Sequence, residues 1–406
     1  MAVGCTRLVD APMTQTSKSK KIATPLPVAV AGSLHLSGID GLRAVAVVLV
    51  VLFHVVPGAL PGGGLGVDIF FVLSGFLITG LLVGERAENG RIRFRAFWAR
   101  RARRLLPALV ILLLVCTSAA LVIGGDILVA IGRQVLGAVT FSSNWLAIAN
   151  GSSYFAGTAP ELFRNLWSLA VEEQFYLVWP FLLVYCLRRP GHAGRIAASI
   201  IPCCIILVSP VFRVLLSRSA NPAIHHFGIN FFKFDFIMFG CLVALLQHTS
   251  RFEAIYRFAS RRAWLAPGVI VLCSALTARF QNYFDLPFGY TINGAAIAVF
   301  LLWSTRNPSS LTGRILNWKP IVQIGVLSYS IYIWQTIFLH ANNHQVFEPL
   351  GRFGILISTF PGNWLAILIV ASLSYYIVEQ PALRARASII RTFHLYAERR
   401  RARVLQ

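Results

Sequence analysis

Ten apolar runs recur along the 406-residue chain, at about 38–56, 66–84, 104–124, 168–188, 196–217, 228–247, 263–279, 288–305, 321–341 and 361–380. Each is near or above the length that crosses a hydrocarbon core as a helix, about 20 residues, and the short alternation of barrel strands is missing. Lipid offers no partner to backbone N–H and C=O groups, so segments of this kind satisfy them internally as helices. Composition agrees: 56% of residues are hydrophobic and 13% charged, with a mean hydropathy of +0.68. These values lie outside the soluble range. The expected fold is all-α, a polytopic transmembrane helical bundle of about ten spans.

A formal charge of +22 would suggest nucleic acid in a soluble protein. Here the basic residues gather in alternate connections, which explains them as topology signals instead. The 85–103 connection alone carries Arg86, Arg91, Arg93, Arg95, Arg100, Arg101 and Arg103. The facing connections hold few, among them Arg133, Arg164 and Arg352. The asymmetry predicts both termini on the cytoplasmic side of a multi-pass membrane protein, with no nucleic-acid partner.

The domain reading is a basic disordered tail over 1–36, a membrane domain over 37–385 and a basic tail over 386–406. Pro25 and Pro27 break the apolar patch Ile22 to Ala31, which argues against a signal peptide. Residues 126–148 read as part of a long interfacial loop. The seven cysteines have no spacing of a metal site or disulfide framework, so no metal is expected.

Arg43 and His54 lie inside the first run and are the groups that most need a reason. A guanidinium near mid-bilayer costs roughly 3 kcal/mol or more unless it faces protein or water. Their separation of eleven residues is three helical turns plus about 20°, so both project from one face, about 16 Å apart along the axis. With the amino terminus inside, Arg43 is the inner group and His54 the outer one. Asp68 opens the second span, and Glu172 and Glu173 open the fourth, all expected at the outer level of His54.

Each group has a bland alternative. His54 reads equally well as a general base or as a buried hydrogen-bonded imidazole. Asp68 could hold its tautomer, or merely complement a helix dipole. Arg100, Arg101, Arg103 and Arg104 are sufficient as a topogenic run, yet guanidinium forks also clamp phosphate. The stretch NLWSLAVEEQFYLVWP gathers Trp167, Ser168, Glu172, Glu173 and Tyr176, more polar chemistry than a helix start requires. Adjacent Glu172 and Glu173 point about 100° apart, so at most one faces the His54 side. Span nine, with Tyr329, Tyr332, Trp334, Gln335 and His340, and Glu379 at the end of span ten read as interface aromatics and a surface ion pair.

At these residues the chain resembles the acyltransferase 3 family of membrane-bound O-acyltransferases. The stretches GIDGLRAVAVVLVVLFH, GGGLGVDIFFVLSGFLIT, FWARRARRLLPAL, LWSLAVEEQFYLVWP and LSYSIYIWQ carry the resemblance, in family order, from about residue 35 to 385. It implies transfer of an acetyl or short acyl group from cytoplasmic acyl-CoA to a hydroxyl of an extracytoplasmic glycan. The donor is a substrate, and no permanently bound cofactor is implied. The family pattern is met at Arg43 and His54 and at Arg100, Arg101, Arg103 and Arg104. On this reading the nucleotide docks at the arginine run, the pantetheine arm passes Arg43, and His54, held by Asp68, Glu172 or Glu173, acts as base. Trp167, Ser168, Tyr176 and Tyr332 are the substrate-contact candidates. A covalent acyl-histidine variant stays open, as does a non-enzymatic glycolipid carrier or flippase, whereas a membrane scaffold leaves the polar groups unexplained. Some family members carry a further extracytoplasmic domain, and the short tail here leads to the expectation of a membrane-only form.

Overall fold

A computed structural model describes residues 37–55, 64–124, 126–129, 131–149, 162–189, 191–221, 224–225, 233–247, 249–280, 282–339 and 341–384. The two predicted tails and His340 lie outside the described residues. The described residues are predominantly helical and hold no strand. Its principal helices are α1 (Ile39–Val55), α2 (Leu65–Asn89), α3 (Phe94–Ile123), α4 (Ile131–Val139), α5 (Ser143–Ala149), α6 (Leu166–Cys186) and α7 (Gly191–Ser217). They continue as α8 (Phe234–Leu246), α9 (Ser250–Ser260), α10 (Ala266–Phe280), α11 (Tyr290–Arg306), α12 (Lys319–Val326), α13 (Ser328–Leu339), α14 (Gly351–Ser358) and α15 (Gly362–Leu373).

Each of the ten predicted segments holds helix over its described residues. Seven helical stretches are long and apolar enough to cross a bilayer, and α12 with α13 would be an eighth if their 67° bend counts as one broken span. Two segments fall short of the expectation: α1 has 17 residues and α8 only 13. Both nevertheless bury one or more faces against neighbouring helices. Phe236, Ile237, Cys241 and Leu245 of α8 are fully buried, as is Ala46 of α1. A helix surrounded by protein has no lipid thickness to match.

α8 is held against α2 by two glycines. A Cβ on Gly75 would collide with the Ile237 carbonyl, and one on Gly240 with the Val72 carbonyl. Such small residues let backbones touch, the usual basis of helix association in lipid.

The expected interfacial loop at 126–148 is corrected by the structure. It folds as a single turn followed by α4 and α5, joined by a tight turn at Thr140–Ser142. Gln134 near the start of α4 accepts from the Phe163 amide at 3.2 Å, while Gln174, eight residues inside α6, donates to the Phe141 carbonyl at 2.8 Å and meets Asn144. The hairpin tip therefore runs alongside α6 well past its first turns. The tip is non-helical backbone at that depth, and it is tolerated because protein groups satisfy it.

Candidate active site

A cavity of about 780 Å³, counted to its open mouth, runs between α1, α2, α3, α6 and α13. On α2 its wall is Val67, Phe70, Leu73, Ser74 and Leu77; on α6 it is Ser168, Leu169, Glu172 and Tyr176. These spacings are one stripe of each helix, and each stripe rises about 12–15 Å. The space is thus a shaft along the helices.

One end is cationic. Arg43, Arg101 and Arg104 all line the shaft. The Arg101 guanidinium lies 4.3 Å from the centre of the Tyr176 ring, and the Tyr176 hydroxyl donates to Glu172 at 2.8 Å. Ser74 is within hydrogen-bond reach of Glu172, which sits in the field of Arg101 and Arg43. Arg43 is steadied by Asp40 at 3.6 Å.

The other end carries hydroxyls. Ser168 Oγ and the Tyr332 hydroxyl are 2.5 Å apart, and the latter donates to the Asn165 carbonyl at 2.8 Å. Phe70 meets the Tyr332 ring edge-on at 6.1 Å. This is the end nearest His54, because Gly66, beside Val67, packs on Ala46 and Val50 of α1. His54 follows Val50 by one turn.

His54 Nδ1 is 2.7 Å from the Val50 carbonyl. A carbonyl only accepts, so Nδ1 carries the hydrogen, and in the neutral ring Nε2 carries the lone pair. The Val50 backbone thus helps to orient the imidazole. The charged group placed near it is Arg164, a buried residue of the turn before α6.

Several expected placements change. Asp68 stands away from α1: it follows Gly66 by two residues, about 200° round α2. There it pairs with Lys233 at 2.8 Å, both side chains buried. Glu172 belongs to the arginine cluster, not to the level of His54, because six residues of helix carry it inward from Leu166. Glu173 and Trp167 do not line the shaft; Trp167 packs edge-on against Phe71 in the core. The arginine run divides: Arg101 and Arg104 face the shaft, Arg100 pairs with Glu85 at 3.2 Å, and Arg103 is exposed and bonds the Ala99 carbonyl. Glu379 is not a surface acid. It is 4% exposed, bonded to Ser330 and in the field of Arg104, because the π-helical stretch Ser374–Glu379 packs against α3.

A second buried polar centre was not anticipated. Arg213 of α7 pairs with Asp235 at 2.7 Å, both side chains wholly buried, and donates to Thr291. Lys233 lies over the Tyr290 ring at 4.7 Å. The signal was in the sequence, since Arg213 interrupts an apolar run just as Arg43 does, and Lys233 and Asp235 interrupt another.

A family profile described as an acyltransferase domain, acyltransferase 3, matches residues 36–378. The chain is similar to YrhL of Bacillus subtilis, 31% identical over 360 residues, covering 86% of this chain and 55% of that protein. It is also similar to the peptidoglycan O-acetyltransferase OatA of Listeria monocytogenes, 33% identical over 362 residues (86% and 56%). The O-acetyltransferase OatA of Staphylococcus aureus is 30% identical over 355 residues (86% and 57%). The chain therefore spans a little over half the length of these relatives. No solved structure matches it. With a family match over most of its length, the chain belongs to the acyltransferase 3 family of membrane acyltransferases.

Proposed function

We propose that the chain is a multi-pass O-acetyltransferase of a bacterial cytoplasmic membrane, moving an acetyl group from cytoplasmic acetyl-CoA to a hydroxyl of a cell-envelope glycan. Peptidoglycan is the acceptor class to try first, because the relatives named for a substrate act on it. The observation that carries the reading is the shaft itself, cationic at one end and leading at the other toward His54. Arg101, Arg104 and Arg43 offer fork-shaped donors suited to phosphate. The apolar wall of Val67, Phe70, Leu73, Leu77, Leu105 and Leu169 suits an uncharged thioester arm. The basic connections flank the arginine end, which supports a cytoplasmic side for it.

In the transfer step His54 Nε2 takes the proton of the acceptor hydroxyl as its oxygen attacks the thioester carbonyl carbon. The C–O bond forms, the C–S bond breaks, and the thiolate leaves with that proton. Detergent-purified protein given radiolabelled acetyl-CoA and peptidoglycan fragments should label the glycan, and His54→Ala should remove the label while the protein still folds. Wild-type labelling by His54→Ala would contradict the assignment. Folded protein that neither binds nor consumes acetyl-CoA would contradict the function.

A further inference from the structure

We propose that α9 and the turn after it form a docking surface for anionic lipid headgroups. The segment 250–262, SRFEAIYRFASRR, carries Arg251, Arg257, Arg261 and Arg262 against a single acid, Glu253. Four basic residues in one short stretch directly before a span are the composition that anionic headgroups attract. The span begins at once. Ala263–Phe280 is 18 residues long and only 17% of it is buried by protein, so its surroundings are lipid.

The helix is clamped by its other side. Arg306 at the end of α11 pairs with Glu253 at 2.8 Å, lies 4.3 Å from the centre of the Tyr256 ring and donates to the Gln247 carbonyl at 2.7 Å. Asn307 donates to the Tyr256 hydroxyl at 3.3 Å, and Phe252 and Tyr256 pack on the main core. These contacts occupy the one acid of the segment and fix which way the helix is turned.

What is turned outward is both apolar and basic. Ile255 is 64% exposed and Phe258 68%, three residues and therefore about 60° apart around the helix. Arg257, Arg261 and Arg262 are exposed, and the Arg262 guanidinium lies 4.9 Å from the centre of the Phe258 ring. Trp264, also exposed, follows where the span starts, the level at which indoles favour a membrane surface. Ile255 and Phe258 gain by sinking to the boundary of headgroups and acyl chains, which leaves the arginines among lipid phosphates. A neutral bilayer would satisfy the apolar pair alone. The arginines, whose forks suit phosphate, are what selects anionic lipid.

The test is hydrogen–deuterium exchange of the full chain in nanodiscs of phosphatidylcholine alone and of an equimolar mixture with phosphatidylglycerol. Amides of residues 250–262 should exchange at least about fivefold more slowly in the mixture, the worth of one engaged arginine. The difference should vanish in the combined variant Arg257→Gln, Arg261→Gln, Arg262→Gln, and for wild type in molar salt, which screens the attraction. Equal exchange in the two lipids would overturn the proposal, as would a difference that survives the triple variant or the salt. Protection that rises with the number of chains per disc, and not with phosphatidylglycerol, would overturn it in favour of a second copy of the chain. Should the triple variant fail to fold, the salt series on wild type decides alone.

Discussion

The Tyr176 hydroxyl donates to a Glu172 carboxyl oxygen at 2.8 Å, one turn back along α6. The same ring carries the Arg101 guanidinium on its face. One side chain therefore ties the acid of the shaft to its cationic end, and Tyr176 is itself buried.

Tyr176→Phe keeps the ring under Arg101 and removes only the hydrogen bond. Bonds to charged groups are worth about 1.5–3 kcal/mol, and exposed to partly desolvated cation–π contacts about 0.5–2. Tyr176→Phe should therefore raise the KM for acetyl-CoA about tenfold, and Tyr176→Ala clearly more. Michaelis curves of the two variants decide it; equal effects would mean that the ring does not support Arg101.

The division of the arginine run gives a second test. Arg101→Ala and Arg104→Ala should each raise the donor KM about 10- to 100-fold, the range for losing a charge-assisted bond to phosphate. Arg103→Ala should stay within about twofold, because that side chain is exposed and away from the shaft. Arg100→Ala should act through stability, by freeing the buried Glu85 that also binds Arg93. Donor titrations paired with thermal unfolding in detergent separate the two classes.

The Asp68–Lys233 pair should behave as an interlock between α2 and the start of α8. Removing one partner of a buried pair costs about 3–5 kcal/mol, whereas replacing both with apolar groups can be nearly neutral. Lys233→Met should lower the unfolding temperature sharply, and Asp68→Leu combined with Lys233→Met should recover most of it. If Asp68→Leu alone left stability intact and abolished kcat, Asp68 would be acting on His54 after all.

Helical segments were easier to read in the sequence than depth or direction. The ten apolar runs are largely helical over their described residues, yet Glu172, expected at the level of His54, lines the shaft with Arg43 and Arg101. Span order placed Asp68 near the level of His54, but nothing in that order says which way α2 is rotated. Gly66 settles the rotation, because its missing side chain marks the face that touches α1, and Asp68 lies on the other side. Phase alone would not have divided the arginine run, since Arg104 lies about 40° from Arg100 and about 60° from Arg101 on a helix. The α4–α5 hairpin was hidden because its helices are too short to show as spans, and its anchors include the side chains of Gln134 and Gln174. Arg164 looked like an ordinary loop charge, since burial of a turn before a helix leaves no periodic trace.

The central claim is that the shaft hands an acetyl group from one face of the membrane to His54 near the other. Sided proteoliposomes test it most directly, with radiolabelled acetyl-CoA sealed on the arginine side and a membrane-impermeant glycan acceptor on the opposite side. The account predicts labelled glycan across the membrane from wild type and none from His54→Ala. Labelling that requires donor and acceptor on the same face, or that survives His54→Ala, would contradict it.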